Sequence, residues 1–246
     1  MIILKKVNNI KNLILSMVID MGQYALSDVH GCYEKFVEIL KLIKFSESDE
    51  LYVIGDIFDR GEKPLHILDY IRGHENIYLL KGNHELMYER FYKDKIEGKS
   101  LDISWFMNGG QRTYMEIMKR GEEFNSSLYE YISKLPLYKI VGNNILVHGG
   151  IKLPDEYDKL SLREIMDVQE ENTLMWYRES IGHEKKIKGY NIICGHTPVQ
   201  IINKNYKDVR ILNVNDTYYI DCGCVFSQAK GKLACIRLED KAEFYV

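Results

Sequence analysis

Four of the seven histidines in this 246-residue chain lie in short polar loops, beside glycine and directly after apolar runs of strand type. They are His30 in Asp28-Val29-His30-Gly31, His84 in Gly82-Asn83-His84-Glu85, His148 in His148-Gly149-Gly150 and His196 in Gly195-His196-Thr197. His66, His74 and His183 have no such setting. A further loop, Gly55-Asp56-Ile57-Phe58-Asp59-Arg60-Gly61, adds two carboxylates and an arginine. A single loop histidine is ordinarily a surface residue, and an aspartate ahead of a helix is ordinarily a cap. Repetition of the pattern makes those readings inadequate. Carboxylate, imidazole and amide without thiolate suit borderline first-row ions such as manganese, iron or zinc, whereas magnesium favours oxygen alone. The set is large enough for two ions with positions left open to water, which marks a catalytic rather than a structural site. Two dications about 3.5–4 Å apart need a shared anionic ligand, and Asp56 is the natural bridge.

Such loops can meet only if the elements that carry them end at one edge. Residues 24–27 form a strand-like run, 28–31 a polar turn, and 33–43 place Phe36, Val37, Leu40 and Ile43 on one helical face. The order recurs in the run 51–54 with a helix from about Pro64, and in the run 77–80 with a helix from about Glu85. Three β-loop-α units imply adjacent parallel strands whose loops emerge on one edge of a sheet. Residues 99–134 read as helices, interrupted at Gly109-Gly110 just after Trp105, Phe106 and Met107, and are expected to form a helical cap beside the site. After Pro136, short β runs are expected at 137–141, 145–147, 192–194, 199–202, 210–214, 218–220 and 233–238. Two packed sheets with helices outside follow as the α/β architecture.

With 46% hydrophobic and 28% charged residues the composition is that of a globule, not of a disordered, collagen-like or multi-span membrane chain. Thirty-three basic against 36 acidic residues give a net charge of −3. No global positive field exists to hold nucleic acid or an anionic membrane, so any bound anion must be held locally. Five scattered cysteines fit a reducing, cytoplasmic setting with buried free thiols, and Cys222-x-Cys224 lacks the second pair of a structural zinc site. Residues 1–20 are apolar with interspersed lysines, but the run 13–19 is interrupted by Ser16 and is too short to span a bilayer. They read as an appended arm outside a single domain over 21–246.

Taken in order, Asp-x-His, Gly-Asp-x-x-Asp-Arg-Gly, Gly-Asn-His-Glu, His-Gly-Gly and Gly-His-Thr resemble the calcineurin-like metallophosphoesterases over about residues 24–238. The intact second and third motifs resemble the phosphoprotein phosphatase branch, which includes bacterial serine/threonine phosphatases and symmetrical diadenosine tetraphosphate hydrolases. The resemblance implies a four-layer α/β/β/α sandwich of two mixed sheets with outer helices. It implies Asp28, His30 and Asp56 as ligands of one metal and Asp56, Asn83, His148 and His196 as ligands of the other. The ions would be divalent or trivalent, Mn2+ first and Fe or Zn as alternatives.

By the same resemblance His84 is the general acid, oriented by Asp59; a carboxylate behind an imidazole fixes its tautomer and favours the protonated ring. Arg60 and Asn83 are expected at the substrate phosphate. Arg178, in Leu174-Met175-Trp176-Tyr177-Arg178, resembles the Trp-x-Arg stretch of bacterial members and is the expected second phosphate-binding arginine, with Arg112 and Arg163 as substitutes. Asp221, in Asp221-Cys222-Gly223, resembles an Asp-x-Gly terminus near the metal loops and reads equally as a support or a turn. Cys32 lacks the basic cradle that a phosphocysteine would need. The expected activity is hydrolysis of phosphoserine or phosphothreonine monoesters in proteins or peptides by direct attack of a metal-bridging hydroxide. A symmetrical dinucleoside tetraphosphate hydrolase is the alternative, placed second because the middle insert is short and no basic or aromatic cluster for two adenosines is visible. An inactive scaffold would show a broken motif, and none is broken.

Overall fold

The computed structural model describes residues 21–246, so the arm expected over 1–20 lies outside the described residues. In the first sheet β1 (Gln23–Leu26), β2 (Glu50–Ile54) and β3 (Ile77–Leu80) run parallel. Side chains alternate along β2: Leu51 and Val53 enter a core shared with helices, while Tyr52 and Ile54 enter the core shared with the second sheet. A parallel strand covered on both faces must be apolar along its buried length, and this one is from Leu51 to Ile54, with Glu50 at its half-buried start. Each strand feeds a helix: α1 (Tyr33–Leu42), α2 (Pro64–Arg72) and α3 (Asn83–Ile96). Pro64 opens α2, where its missing N–H costs no helical bond.

The segment expected as a cap folds into α4 (Ser104–Met107), α5 (Gln111–Arg120) and α6 (Glu122–Ser133). Trp105, Ile117, Leu128 and Ile132 from these helices are buried in the same core as α1 to α3. The segment therefore thickens the helical layer on the first sheet, and its first turn reaches the candidate site.

In the second sheet β4 (Tyr138–Val141) and β5 (Asn144–Val147) form a hairpin, and β6 (Asn191–Cys194), β7 (Leu212–Val214) and β8 (Thr217–Tyr219) complete the order β4-β5-β6-β8-β7. Within it β5, β6 and β8 are parallel. The chain returns to the first sheet with β9 (Ala234–Arg237) and β10 (Glu243–Tyr245), giving β10-β9-β1-β2-β3. Short helices α7 (Leu162–Asp167), α8 (Glu171–Trp176) and α9 (Val199–Asn203) cover the outer face. Two mixed sheets between helical layers form the expected sandwich.

The 199–202 run is not a strand but α9. Four apolar or amide residues carry no period that separates strand from helix, and Pro198 immediately before them starts the helix. The second sheet's edge strand begins at Leu212, later than expected, and α7, α8 and β10 were not anticipated. No helix among the described residues is long and apolar enough to cross a membrane.

Candidate active site

All six parallel strands end at the same edge of the sandwich, and each delivers a polar loop. Asp28 and His30 follow β1, Asp56, Asp59 and Arg60 follow β2, and Asn83 and His84 open α3 after β3. His148 follows β5, His196 follows β6 and Asp221 follows β8. Asp28, His30, Asp56, Asp59, Arg60 and His196 all have φ between 45° and 70°, backbone that costs a non-glycine residue about 1–2 kcal/mol. Such conformations persist where the surroundings fix them. Here the His30 and Gly31 N–H groups donate to the carbonyls of Asp56 and Ile57, tying the first two loops together. The glycines have a packing reason. A Cβ on Gly61 would lie 2.0 Å from the His30 carbonyl oxygen, and one on Gly195 would lie 2.1 Å from Asp28 Oδ2.

Asp56 stands at the centre. Its Oδ1 accepts the His84 backbone N–H at 2.9 Å. Its Oδ2 faces three imidazole nitrogens, Nε2 of His148 at 3.4 Å, of His30 at 3.7 Å and of His84 at 3.9 Å. These separations exceed an ordinary hydrogen bond, so the nitrogens surround the oxygen rather than satisfy it. Burial alone would raise the Asp56 carboxyl, but the facing imidazoles outweigh it and hold the group well below the usual carboxylate range.

On the second-sheet side, Asn83 Oδ1 accepts from His148 Nε2 and from His196 Nδ1, both at 2.8 Å. His148 Nδ1 donates to the Ile54 carbonyl at 2.9 Å, so both of its nitrogens act as donors and the ring is a cation. Burial opposes that charge, but Asp56 outweighs it and pushes the imidazole up to about 10. His196 is the opposite case: burial, reinforced by charged His148, pushes it down to about 2. Its Nε2 is a buried lone pair without a hydrogen-bond partner. Ligating atoms of Asp56, His148 and His196 lie within 4.8 Å of one another. A carboxylate, an unpartnered neutral imidazole and a second imidazole whose proton a cation can replace fit a borderline divalent ion.

The other cluster within 4.8 Å comprises His30, Asp56 and His84. Arg60 donates to Nε2 of His30 at 2.7 Å and of His84 at 2.9 Å, so a cation already stands before these nitrogens. Since guanidinium only donates, each Nε2 is an acceptor and each Nδ1 carries the proton, given to Phe58 O by His30 and to Asp59 Oδ2 by His84. His84, expected outside the ligand set, thus lies within this cluster. Asp28 lies outside both: one of its oxygens accepts the His196 backbone N–H at 2.9 Å, which ties the β1 loop to the β6 loop.

Asp59 is fully buried and collects three side-chain donors, His84 Nδ1 at 2.6 Å, Trp105 Nε1 at 2.9 Å and Thr113 Oγ1 at 2.6 Å. Trp105 and Thr113 were not anticipated. Glu85, the last residue of Gly-Asn-His-Glu, had no expected role, yet its carboxylate accepts the N–H groups of Gly82, Asp56 and Ile57 at 2.9, 2.8 and 3.0 Å. The signal was its place three residues after Gly82 at a helix start. Burial pushes the Glu85 carboxyl up to about 7. Asp221 is buried and accepts the Gly223 N–H at 2.8 Å, a turn bond, while burial and then the Asp28 charge raise its carboxyl well above the usual range. Arg178 donates through Nε to Thr197 Oγ1 at 3.0 Å, beside the His196 loop. Arg163 is paired with Asp167 on the exposed side of α7, and Arg112 is exposed on α5. All five cysteines are free, and all but Cys32 are buried.

Residues 24–223 match the calcineurin-like phosphoesterase family, and the chain belongs to it. It is therefore a metal-dependent phosphoester hydrolase by class. Among curated relatives, it is 37% identical to the symmetrical bis(5'-nucleosyl)-tetraphosphatase of Chromobacterium violaceum, over 91% of this chain and 94% of that protein. It is 27% identical to the asymmetrical bis(5'-nucleosyl)-tetraphosphatase PrpE of Bacillus subtilis, over 84% of this chain and 87% of that one. Against the symmetrical enzyme of Wigglesworthia glossinidia brevipalpis it is 32% identical over 53% of this chain, spanning 45% of that relative's length. The fold is shared with the cold-active protein-tyrosine phosphatase of a psychrophile Shewanella sp. (TM-score 0.59, 19% identity, 92% and 80% of the two chains). It is shared too with a protein serine/threonine phosphatase from Saccharomyces cerevisiae (TM-score 0.56, 15% identity, 92% and 79%).

Proposed function

We propose that the protein hydrolyses dinucleoside tetraphosphates symmetrically, using two metal ions of which manganese is the first choice. The carrying observation is the 37% identity to a symmetrical bis(5'-nucleosyl)-tetraphosphatase over 94% of that enzyme's length. This reverses the order expected from the sequence, in which phosphoserine and phosphothreonine monoesters came first. The reasons for that order lose force in the fold. The middle insert belongs to the helical layer on the first sheet, so its length does not measure a substrate clamp. An aromatic side chain does stand at the mouth, since the half-exposed Phe226 ring lies 5.8 Å from the Arg60 guanidinium carbon.

Asp56, Asn83, His148 and His196 would hold one ion, and Asp28, His30 and Asp56 the other. When bound, the pair supplies a water activated near neutral pH and neutralises charge on the phosphoryl group. Arg60, exposed and free to turn from the imidazoles, and Arg178 hold phosphoryl oxygens with planar forks. Once Arg60 has turned, His84 Nε2 can carry a proton. Burial opposes this, but Asp56 and Asp59 outweigh it and raise the imidazole above its ordinary value. That proton goes to the leaving oxygen while Asp59, locked by Trp105 and Thr113, keeps the ring aimed.

The test is a paired assay with manganese, comparing diadenosine tetraphosphate with phosphoserine and phosphothreonine peptides. We expect the dinucleotide to be preferred and ADP to be the sole nucleotide product. ATP with AMP would move the cut to the asymmetrical position. A hundredfold preference for phosphopeptide would overturn the proposal.

A further inference from the structure

The loop from β8 to β9 carries Phe226 to the mouth of the candidate site. A single exposed aromatic is ordinary on a protein surface, and 43% exposure alone implies no ligand. Position and rigidity set this one apart. The ring centroid lies 5.8 Å from the Arg60 guanidinium carbon, and the same guanidinium donates to Nε2 of His30 at 2.7 Å and of His84 at 2.9 Å. One side chain therefore separates the ring from the edge where phosphoryl oxygens are to be held.

The loop holds that ring still. The Phe226 N–H donates to the Gly223 carbonyl at 2.8 Å, and the Phe226 carbonyl accepts the N–H groups of Ala229 and Gly231 at 2.9 and 3.0 Å. From α1, Lys35 Nζ donates to the carbonyls of Cys224 at 2.8 Å and Gly231 at 3.1 Å, which clamps both sides of the turn to the first helix. Gly231 admits no side chain, because a Cβ would lie 1.8 Å from the Gly223 carbonyl oxygen. An aromatic side chain on a backbone already fixed offers a flat apolar face at little cost in conformational entropy. The guanidinium covers the ring from the long end of the cation–π range. A phosphoryl group draws Arg60 towards its own oxygens and leaves that face for a second flat group.

We infer that Phe226 is the stacking platform for the base of the nucleoside diphosphate half whose phosphoryl group Arg60 holds. The inference rests on the nucleotide reading above and makes Phe226 a specificity residue that takes no part in bond breaking. The 5.8 Å between ring and guanidinium carbon is shorter than a nucleoside diphosphate, so one nucleotide can present its phosphoryl group to Arg60 and its base to the ring at once. A phosphate or carboxylate gains nothing from the negative face of an aromatic ring, whereas every base has a π-face of its own to lay against it. One ring serves one base, so the second nucleoside of a dinucleotide lies elsewhere.

The probes are ADP and ribose 5-diphosphate, which differ only in the base, titrated calorimetrically into the manganese-loaded protein. ADP should bind about tenfold more tightly, the yield of one base stacked on one aromatic ring. Phe226→Ala should bring ADP to the level of ribose 5-diphosphate and leave the latter where it was, whereas Phe226→Trp, which keeps a flat face, should retain the ADP advantage. Three results would overturn the platform: no ADP advantage in the unaltered protein, an advantage that survives Phe226→Ala, or an equal weakening of both probes by Phe226→Ala, which would make the ring only a support for Arg60. Cleavage of diadenosine tetraphosphate by the unaltered enzyme is assayed separately. If it proceeds in those cases, the platform alone fails; if it does not, the nucleotide reading fails.

Discussion

In the first sheet β1, β2 and β3 run through their loops into helices of ten, nine and fourteen residues. Beyond β5, β6 and β8 the chain offers only helices of six, six and five residues among long loops. The site side chains are accordingly fixed by different means. On the first side, Asp56 and Ile57 hang on Glu85 at the head of α3, and Asp59 hangs on Trp105 and Thr113. On the second side, the anchors come from the opposite sheet: His148 bonds the Ile54 carbonyl, the His196 N–H bonds Asp28, and both imidazoles bond Asn83. The first half is a scaffold that positions itself, and the second is positioned by it. Damage to the first should therefore spread across the centre, whereas damage to the second should stay local.

The largest expected effect comes from Asp56→Asn, which removes the oxygen both halves face. Turnover should fall by about a thousandfold or more, and elemental analysis should show loss of both ions. Retention of two metal equivalents would deny the shared carboxylate. His84→Asn should preserve metal content while lowering turnover, and by different factors for different substrates. A serine alkoxide needs a proton as it leaves, so a phosphopeptide should lose about 10²–10³-fold. A nucleoside diphosphate leaves with a terminal phosphate whose proton affinity is near neutrality, and should lose only about tenfold. Metal loss equal to that of Asp56→Asn would instead make His84 a ligand, as its place within the His30–Asp56 cluster allows.

Glu85→Gln sharpens the contrast without touching a proposed ligand. Glu85 accepts three buried N–H groups, and an amide in its place leaves at least one of them unpaired. Urea unfolding should show a loss of about 1–3 kcal/mol, with both metal equivalents held more weakly because the β2 loop carries the shared carboxylate. Arg178→Ala belongs to the dependent half and should act locally, lowering kcat/KM about tenfold with unfolding and metal content unchanged.

The same asymmetry governed what could be read from the sequence. The β-loop-α rhythm of the first half is written in period and punctuation, so its three strands and helices, and the residues at their junctions, were legible. The second half offered only short apolar runs. Val199-Gln200-Ile201-Ile202 carries no period, and the start of α7 was marked only by the capping pair Ser161 and Glu164. The donor types of the centre were visible because glycines crowd beside them, where backbones touch. Which donors face one another was not, as Asp28 and His84 show. Trp105 and Thr113 reach Asp59 across 46 and 54 residues, and no local spacing encodes such a contact.

The smallest effect is expected at Arg163, which the sequence offered with Arg112 as a substitute for Arg178 at the phosphate. Its side chain is 89% exposed and lies 3.5 Å from Asp167, one turn further along α7. A phosphate-binding arginine must reach the residues at the strand ends, as Arg60 reaches His30 and His84, whereas Arg163 lies in solvent beside Asp167. Exposed i,i+4 pairs contribute about 0.3–0.5 kcal/mol, so Arg163→Ala should leave kcat/KM within about twofold and the unfolding midpoint nearly unmoved. Side by side with Arg178→Ala the pair isolates position from charge, because both substitutions remove one guanidinium from the same half of the molecule. Equal losses would mean that the second half contributes only a diffuse field, and the local role assigned to Arg178 beside Thr197 would have to be withdrawn.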